Sequence, residues 1–230
     1  MKLALAVSAA AVTFAVTAAP ARAEIQAWQV IQMLGRVEEH GSSPSAWLDL
    51  QLRRRGDSTQ YLVRPALGWA ITQDLFVHAG YAYIPTDLDD GATATEQRIW
   101  QQVIYNGTID PQLKYQLRGR AEQRFGPDAG VGVRLRALGR LQWQASQRAP
   151  VHLVVWDEVF FGVNETTNFK LQGFDQNRTF AGIAIDTKLR GMRFEAGYLY
   201  LLTQAGDRSD HVIAFFANVN TWLRSTPRPK

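Results

Sequence analysis

Between Gln112 and Phe125 the chain reads QLKYQLRGRAEQRF, with polar or charged side chains at the even positions and apolar or small ones at nearly all odd positions. Successive side chains of an extended strand point to opposite faces, so this period of two predicts a strand between a wet and an apolar environment. Gln123 is the one lapse. A second strand of the same kind follows: Arg134, Arg136, Arg140, Gln142 and Gln144 alternate with Val133, Leu135, Ala137, Gly139, Leu141 and Trp143, and Leu138 falls out of step. Two consecutive strands therefore direct many guanidinium groups the same way.

Similar segments, separated by turn-rich breaks, continue along the chain. They predict strands over about 27–37, 45–54, 60–71, 75–84, 96–106, 112–125, 131–144, 150–162, 174–187, 192–203 and 210–223. Most run 10 to 14 residues, against about 5 to 6 for strands of soluble proteins and about 9 to 11 for a tilted strand crossing a membrane. The expectation is all-β: an antiparallel up-and-down transmembrane β-barrel of 10 to 12 strands with a polar, Arg- and Glu-rich interior. Eleven segments fit poorly with the even counts of bacterial single-chain barrels. Either one more strand exists, giving twelve, or 27–37 lies outside the wall, giving ten.

The two longest connections, PTDLDDGATAT (85–95) and VNETTNFKLQG (163–173), both follow even-numbered segments. Outer-membrane barrels place long loops outside and short turns on the periplasmic side. On that rule the last strand descends and the tail, 224–230, is periplasmic.

At the N-terminus, Lys2 precedes an apolar, Ala-rich run over 3–19, and Ala21-Arg22-Ala23 fits a small-x-small cleavage site. Residues 1–23 are expected to be a secretory signal peptide cleaved after Ala23, leaving 24–230 as one domain in the bacterial outer membrane. Without Lys2 and Arg22, 23 basic residues face 21 acidic ones, so charge gives no reason to expect nucleic acid as a partner. Cysteine is absent, which excludes disulfides and thiolate metal or redox sites. Past residue 23 no run approaches 18 apolar residues, too little for a spanning helix. A spanning barrel needs only alternation.

Extending the phase to every strand defines an interior face. Its basic members are Arg36, Arg53, Arg64, Arg98, Lys114, Arg118, Arg120, Arg124, Arg134, Arg136, Arg140, Arg178, Lys188 and Arg193; its acidic members are Glu38, Asp49, Glu96, Glu122, Glu158, Asp186 and Glu195. The outward face is Leu, Ile, Val and aromatic residues, including Tyr61, Trp69, Tyr81, Tyr83, Tyr105, Tyr115, Phe125, Trp143, Phe161, Tyr198, Tyr200 and Phe215. Many of these aromatics fall near strand ends, as interfacial girdles do. A lipid-facing Arg at the bilayer midplane costs about 2 to 4 kcal/mol, so the arginines belong in a polar lumen or at strand ends. A lumen ladder of Glu96, Arg98, Arg118, Arg120, Glu122, Arg124, Arg134, Arg136, Glu158, Arg178 and Glu195 has three readings. It is a structural network bridged across strands, a basic surplus drawing anions into a narrow pore, or, near the outer rim, a site for lipopolysaccharide phosphates.

Catalytic patterns are sparse. A barrel enzyme acting on lipid acyl chains needs a Ser or His constellation on the outer wall, and Ser146 with His152 is the one suggestive pair among His40, His78, His152 and His211. Asp157 and Glu158 are adjacent and face opposite ways on a strand, so they cannot act as a facing carboxylate pair. No H-x-x-x-H spacing suggests a metal, and Gly130-Val131-Gly132 lacks the rest of a dinucleotide fingerprint. No reaction and no cofactor are expected.

Trp28, EQRIWQQ (96–102), LRGRAEQRF (117–125), VRLR (133–136), WDEVFF (156–161) and FDQNRTFAGI (174–183), behind a signal peptide, resemble the bacterial domain-of-unknown-function family 2490. The likeness covers nearly the whole mature chain. It implies an exported outer-membrane barrel with no assigned reaction and no catalytic residues. Implied partners are outer-membrane lipid, lipopolysaccharide and the barrel-assembly machinery, although the chain ends on LRSTPRPK after Trp222 rather than on the usual terminal aromatic. The leading expectation is a non-enzymatic outer-membrane barrel, structural or a small anion-preferring pore. Its rivals are a lipid-modifying barrel, and a soluble periplasmic lipocalin-like barrel with Trp69, Tyr81, Trp143 and Phe215 lining its cavity and the arginines on its solvent face. The oligomeric state is left open.

Overall fold

The computed structural model describes residues 24–224 apart from 57, 129, 145–148, 171, 190 and 205–207. The leader expected over 1–23, Ser146 and residues 225–230 lie outside the described residues. Eleven strands make up the fold: β1 Ile25–Glu38, β2 Ser43–Arg55, β3 Ser58–Ala70, β4 Leu75–Leu88, β5 Thr93–Asp110, β6 Leu113–Phe125, β7 Val131–Trp143, β8 Val151–Gly162, β9 Gly173–Asp186, β10 Met192–Thr203 and β11 Arg208–Arg224. Each pairs antiparallel with the next, and the sheet closes into a barrel through β1 and β11.

That closing pair is parallel, running from Ile25 opposite His211 to Glu38 opposite Arg224. In an up-and-down meander with an odd number of strands the first and last point the same way, so closure requires one parallel seam. All eleven predicted segments are therefore in the wall, 27–37 included. The inference of ten or twelve strands from the even-count rule does not hold.

Even-numbered strands finish at one end of the barrel, here the loop end, and odd-numbered strands at the other, the turn end. The stretch 85–95 is mostly not a loop. β4 continues to Leu88 and β5 starts at Thr93, leaving a tight turn in which Leu88 donates its N–H to Ala92 O at 2.9 Å and Gly91 takes φ +82°. Pro85 and the Asp/Gly cluster suggest a break, but the pairing of Asp87 with Thr93 carries the hairpin past it. The connection after β8 is a true loop, and it sits over the loop-end mouth.

The wall separates two environments. On β7, Leu135 is 48% exposed on the outside while its neighbours Arg134 and Arg136 are 7% and 6% exposed inside. The same alternation leaves Leu67, Ile99, Val103, Leu117, Ile183 and Phe194 exposed on the outer face. Trp69, Tyr81, Trp143 and Phe215 also face outward, each more than 40% exposed, so they do not line a cavity as a lipocalin-like barrel requires. Lys188 is likewise not on the interior face: it lies in the turn after β9 and is exposed.

The inside is filled. One apolar cluster includes Trp47, Leu62, Phe76, Ile84, Trp100 and Ile104 on β2 to β5. A second includes Trp28, Val154, Phe180, Leu199 and Val212 from β1 and β8 to β11, with Trp156 and Phe216 packed against it. Large rings fit because glycine faces inward beneath them. Gly182 and Gly197 are register partners on β9 and β10, and a Cβ on either would come within 2.5 and 2.7 Å of the Phe180 ring.

Candidate functional site

Between the two apolar clusters the alternating charges of β5 to β9 meet in the lumen. Glu122 on β6 is wholly buried and is shared by four arginines. Arg134 and Arg136 each approach it at 2.6 Å, Arg98 at 3.4 Å and Arg120 at 3.8 Å. The registers Glu122↔Arg134 and Arg120↔Arg136 place these side chains on adjacent strands, within direct cross-strand reach.

Arg136 bridges two carboxylates. Its Nη1 donates to Glu122 Oε1 at 2.6 Å, while Nε and Nη2 donate to Glu158 Oε1 at 3.0 and 2.8 Å. Arg118 also reaches Glu158 Oε1, at 2.8 Å. Towards the loop end, Glu96 accepts bidentate pairs from both Arg98 and Arg124. Such planar, charge-assisted forks are the strong form of this interaction.

Of the eleven ladder residues expected from sequence, nine join this connected network. Glu195 lies apart, taking both Nη groups of Arg140 at 3.0 and 2.6 Å. Arg178 also lies apart; it donates to Gln176 Oε1 and lies between two rings, 4.9 Å from the Trp28 centroid and 4.5 Å from that of Phe160. Arg53 covers Trp28 at 4.0 Å, and Arg134 and Arg136 also lie over Phe160. Desolvated cation–π contacts contribute about 2 kcal/mol or more, so these rings hold guanidiniums where carboxylates run out.

Several contributors were missed from sequence. Trp28, Trp100 and Phe160 share the inward phase of the charges, which is the signal that could have found them. Asp175 caps Arg134 Nη1 at 3.2 Å. Asp49 and Arg64, both assigned to the interior face from sequence, meet at 2.7 Å in a buried pair.

Both ends of the lumen open into hollows. At the turn end a vestibule of about 720 Å³ has Trp47, Phe76 and Ile104 at its floor, and Arg36, Lys114, Arg140 and Arg193 with Glu39, Asp74 and Asp186 around it. At the loop end a hollow of about 310 Å³ is bounded by Arg124, Arg134, Lys170 and Asp175. Phe169, from the loop after β8, is tucked into that mouth. Its ring stacks 4.0 Å from the Arg124 guanidinium and fills the space that a Cβ on Gly132 would need. Asn164 Oδ1 accepts from Val133 N–H at 2.7 Å, tying the loop to β7.

His152 points inward, 5% exposed, with Nε2 2.8 Å from Asp186 Oδ2 and Nδ1 3.2 Å from Gln142 Nε2. Asp157 and Glu158 face opposite ways, Glu158 into the network and Asp157 outward, accepting from Thr179 Oγ1 at 2.6 Å and from Asn177. Among the described residues no group of three His, Cys, Asp or Glu side chains is placed to hold a metal ion.

The fold and its contents define an eleven-stranded up-and-down β-barrel with a filled, arginine-rich lumen. The chain belongs to the family described as "Protein of unknown function (DUF2490)", whose model matches residues 25–212. It is also similar to an uncharacterised protein of Methylorubrum extorquens, with 32% identity over 161 residues, 67% of this chain and 70% of that protein.

Proposed function

We propose that this chain is an integral outer-membrane β-barrel without enzymatic activity, closed across its middle, that serves as a structural or ligand-holding barrel rather than a pore. The observation that carries this is the inversion of polarity across one strand, with Leu135 bare on the outside and Arg134 and Arg136 buried on the inside. A soluble barrel of this sequence would leave a belt of large apolar side chains in water, far beyond the few hundred Å² of contiguous apolar patch that monomers usually show. Lipid covers such a belt, and strands of 12 to 18 residues are long enough to cross it with tilt.

The packing of the lumen supports closure. Trp100, Glu122, Phe160 and Phe180 are wholly buried in the lumen, which supports a closed rather than an open barrel. The deciding experiment is fractionation of the expressed protein with heat-modifiable gel migration, followed by planar-bilayer recording. Recovery in the outer membrane as a heat-modifiable, electrically silent species supports the reading. A soluble periplasmic monomer overturns the location, and a stable unitary conductance overturns the closure.

A further inference from the structure

On β4, β5 and β6 the inward residues His78, Gln102 and Arg120 are consecutive register partners, His78↔Gln102 and Gln102↔Arg120. All three are at least nine-tenths buried. Each carries a nitrogen without a hydrogen-bond partner in the protein: His78 Nδ1, Gln102 Nε2 and Arg120 Nη1. The rest of each side chain is fixed. Gln102 Oε1 accepts from Arg120 Nη2 at 2.6 Å, Arg120 lies 4.4 Å over the Trp100 ring, and His78 Nε2 sits 3.0 Å from Ser45 Oγ. In the tautomer whose Nε2 accepts from Ser45, the ring proton is on Nδ1 and the row presents three adjacent donors with no acceptor; in the other tautomer Gln102 Nε2 and Arg120 Nη1 remain as donors. The nearest carboxylate oxygen recorded for Arg120 Nη1 is Glu122 Oε1 at 3.8 Å, already engaged by Arg136.

We infer that this row binds a small monatomic anion, admitted from the turn-end vestibule. The next inward residues on β4 and β5, Phe76 and Ile104, line that vestibule, while on β6 Arg118 stands between Arg120 and the vestibule residue Gln116. Two further unpartnered donors, Trp47 Nε1 and Arg118 Nε, belong to the same region. Buried donors left without acceptors cost about 1–3 kcal/mol each, and an anion satisfies several at once while offsetting the surplus of guanidiniums. The orphan nitrogens are closed off from solvent, so a monatomic anion enters only as the side chains around the row give way, and phosphate or sulfate would need a larger displacement. The inference rests on the filled interior and not on the membrane location, and its failure would leave the fractionation and conductance results untouched.

The test is thermal unfolding of the purified barrel in detergent, in bromide, chloride, sulfate or gluconate at equal ionic strength, with anomalous diffraction from bromide-soaked crystals. Halides are expected to raise the midpoint saturably by about 2–4 °C, sulfate and gluconate are not, and bromide is expected within hydrogen-bond reach of Gln102 Nε2 and Arg120 Nη1. In Gln102→Glu the carboxylate replaces the anion, so the halide increment disappears while the midpoint in gluconate rises. Equal midpoints in all four salts, or bromide found only away from the row, overturn the proposal. If Gln102→Glu does not fold, the wild-type bromide map decides alone.

Discussion

Arg136 and Glu122 meet at 2.6 Å across neighbouring strands, and both are buried. The pair ties β6 to β7, and through the other face of the same guanidinium to Glu158 on β8. Removing one partner of a buried pair strands the other, which costs about 3–5 kcal/mol. Glu122→Gln leaves four arginines short of an acceptor charge, and the expected loss of stability is at or above that range. Urea unfolding of the refolded barrel in lipid vesicles measures it; a change below about 1 kcal/mol would contradict the shared role of Glu122.

Arg178 is expected to behave differently from Arg136. Its guanidinium is held by rings and by Gln176, with no carboxylate in an ion pair. Arg178→Met keeps much of the volume and strands no anion, so its cost should stay below about 2 kcal/mol, while Arg136→Met costs about 3–5. The same unfolding measurement compares the two, and the reverse order would sink the distinction.

The parallel seam can be tested covalently, because the chain has no cysteine of its own. Ile31 and Ala217 are register partners on β1 and β11. The double variant Ile31→Cys, Ala217→Cys should oxidise to an intramolecular disulfide that makes the heat-unfolded chain migrate faster until it is reduced. Failure to cross-link in the folded barrel would argue for an open seam.

Phe169 closes the loop-end mouth by stacking on Arg124 and filling the place above Gly132. Phe169→Ala should release the loop over 163–172, raising its cleavage by added protease several-fold without opening a conductance, since the lumen below remains packed. Conductance in this variant would show that Phe169, and not the charged network, is the seal.

How far these features are visible in the sequence depends on what encodes them. Side-chain direction follows from the period of two, so the inward turn of Arg118, Arg120, Arg134 and Arg136 can be read from two strands alone. The two lapses in the pattern also resolve physically. Gln123 faces outward and pairs its amide with Gln101 at 3.3 Å, and Leu138 faces inward between Arg136 and Arg140. The pairing of β1 with β11 is not visible, because it follows from strand parity and no local motif marks it. Nor is the filling of the lumen, since an apolar residue in the polar phase, such as Trp28 or Phe160, looks like noise until its neighbours across the barrel are known. The hairpin at 85–95 was obscured by its own turn-like composition.

The central claim is that lipid covers the outer face and packed protein fills the inner one. Nitroxide labels on single cysteines along 131–143, in vesicles, measure this directly through relaxation by oxygen and by a water-soluble nickel complex. Oxygen accessibility should oscillate with a period of two, high at Leu135, Ala137 and Leu141, low at Arg134 and Arg136, and with nickel excluded from both phases mid-strand. Strong nickel accessibility at Leu135 would place that face in water, and at Arg136 would open the lumen; either result contradicts the account.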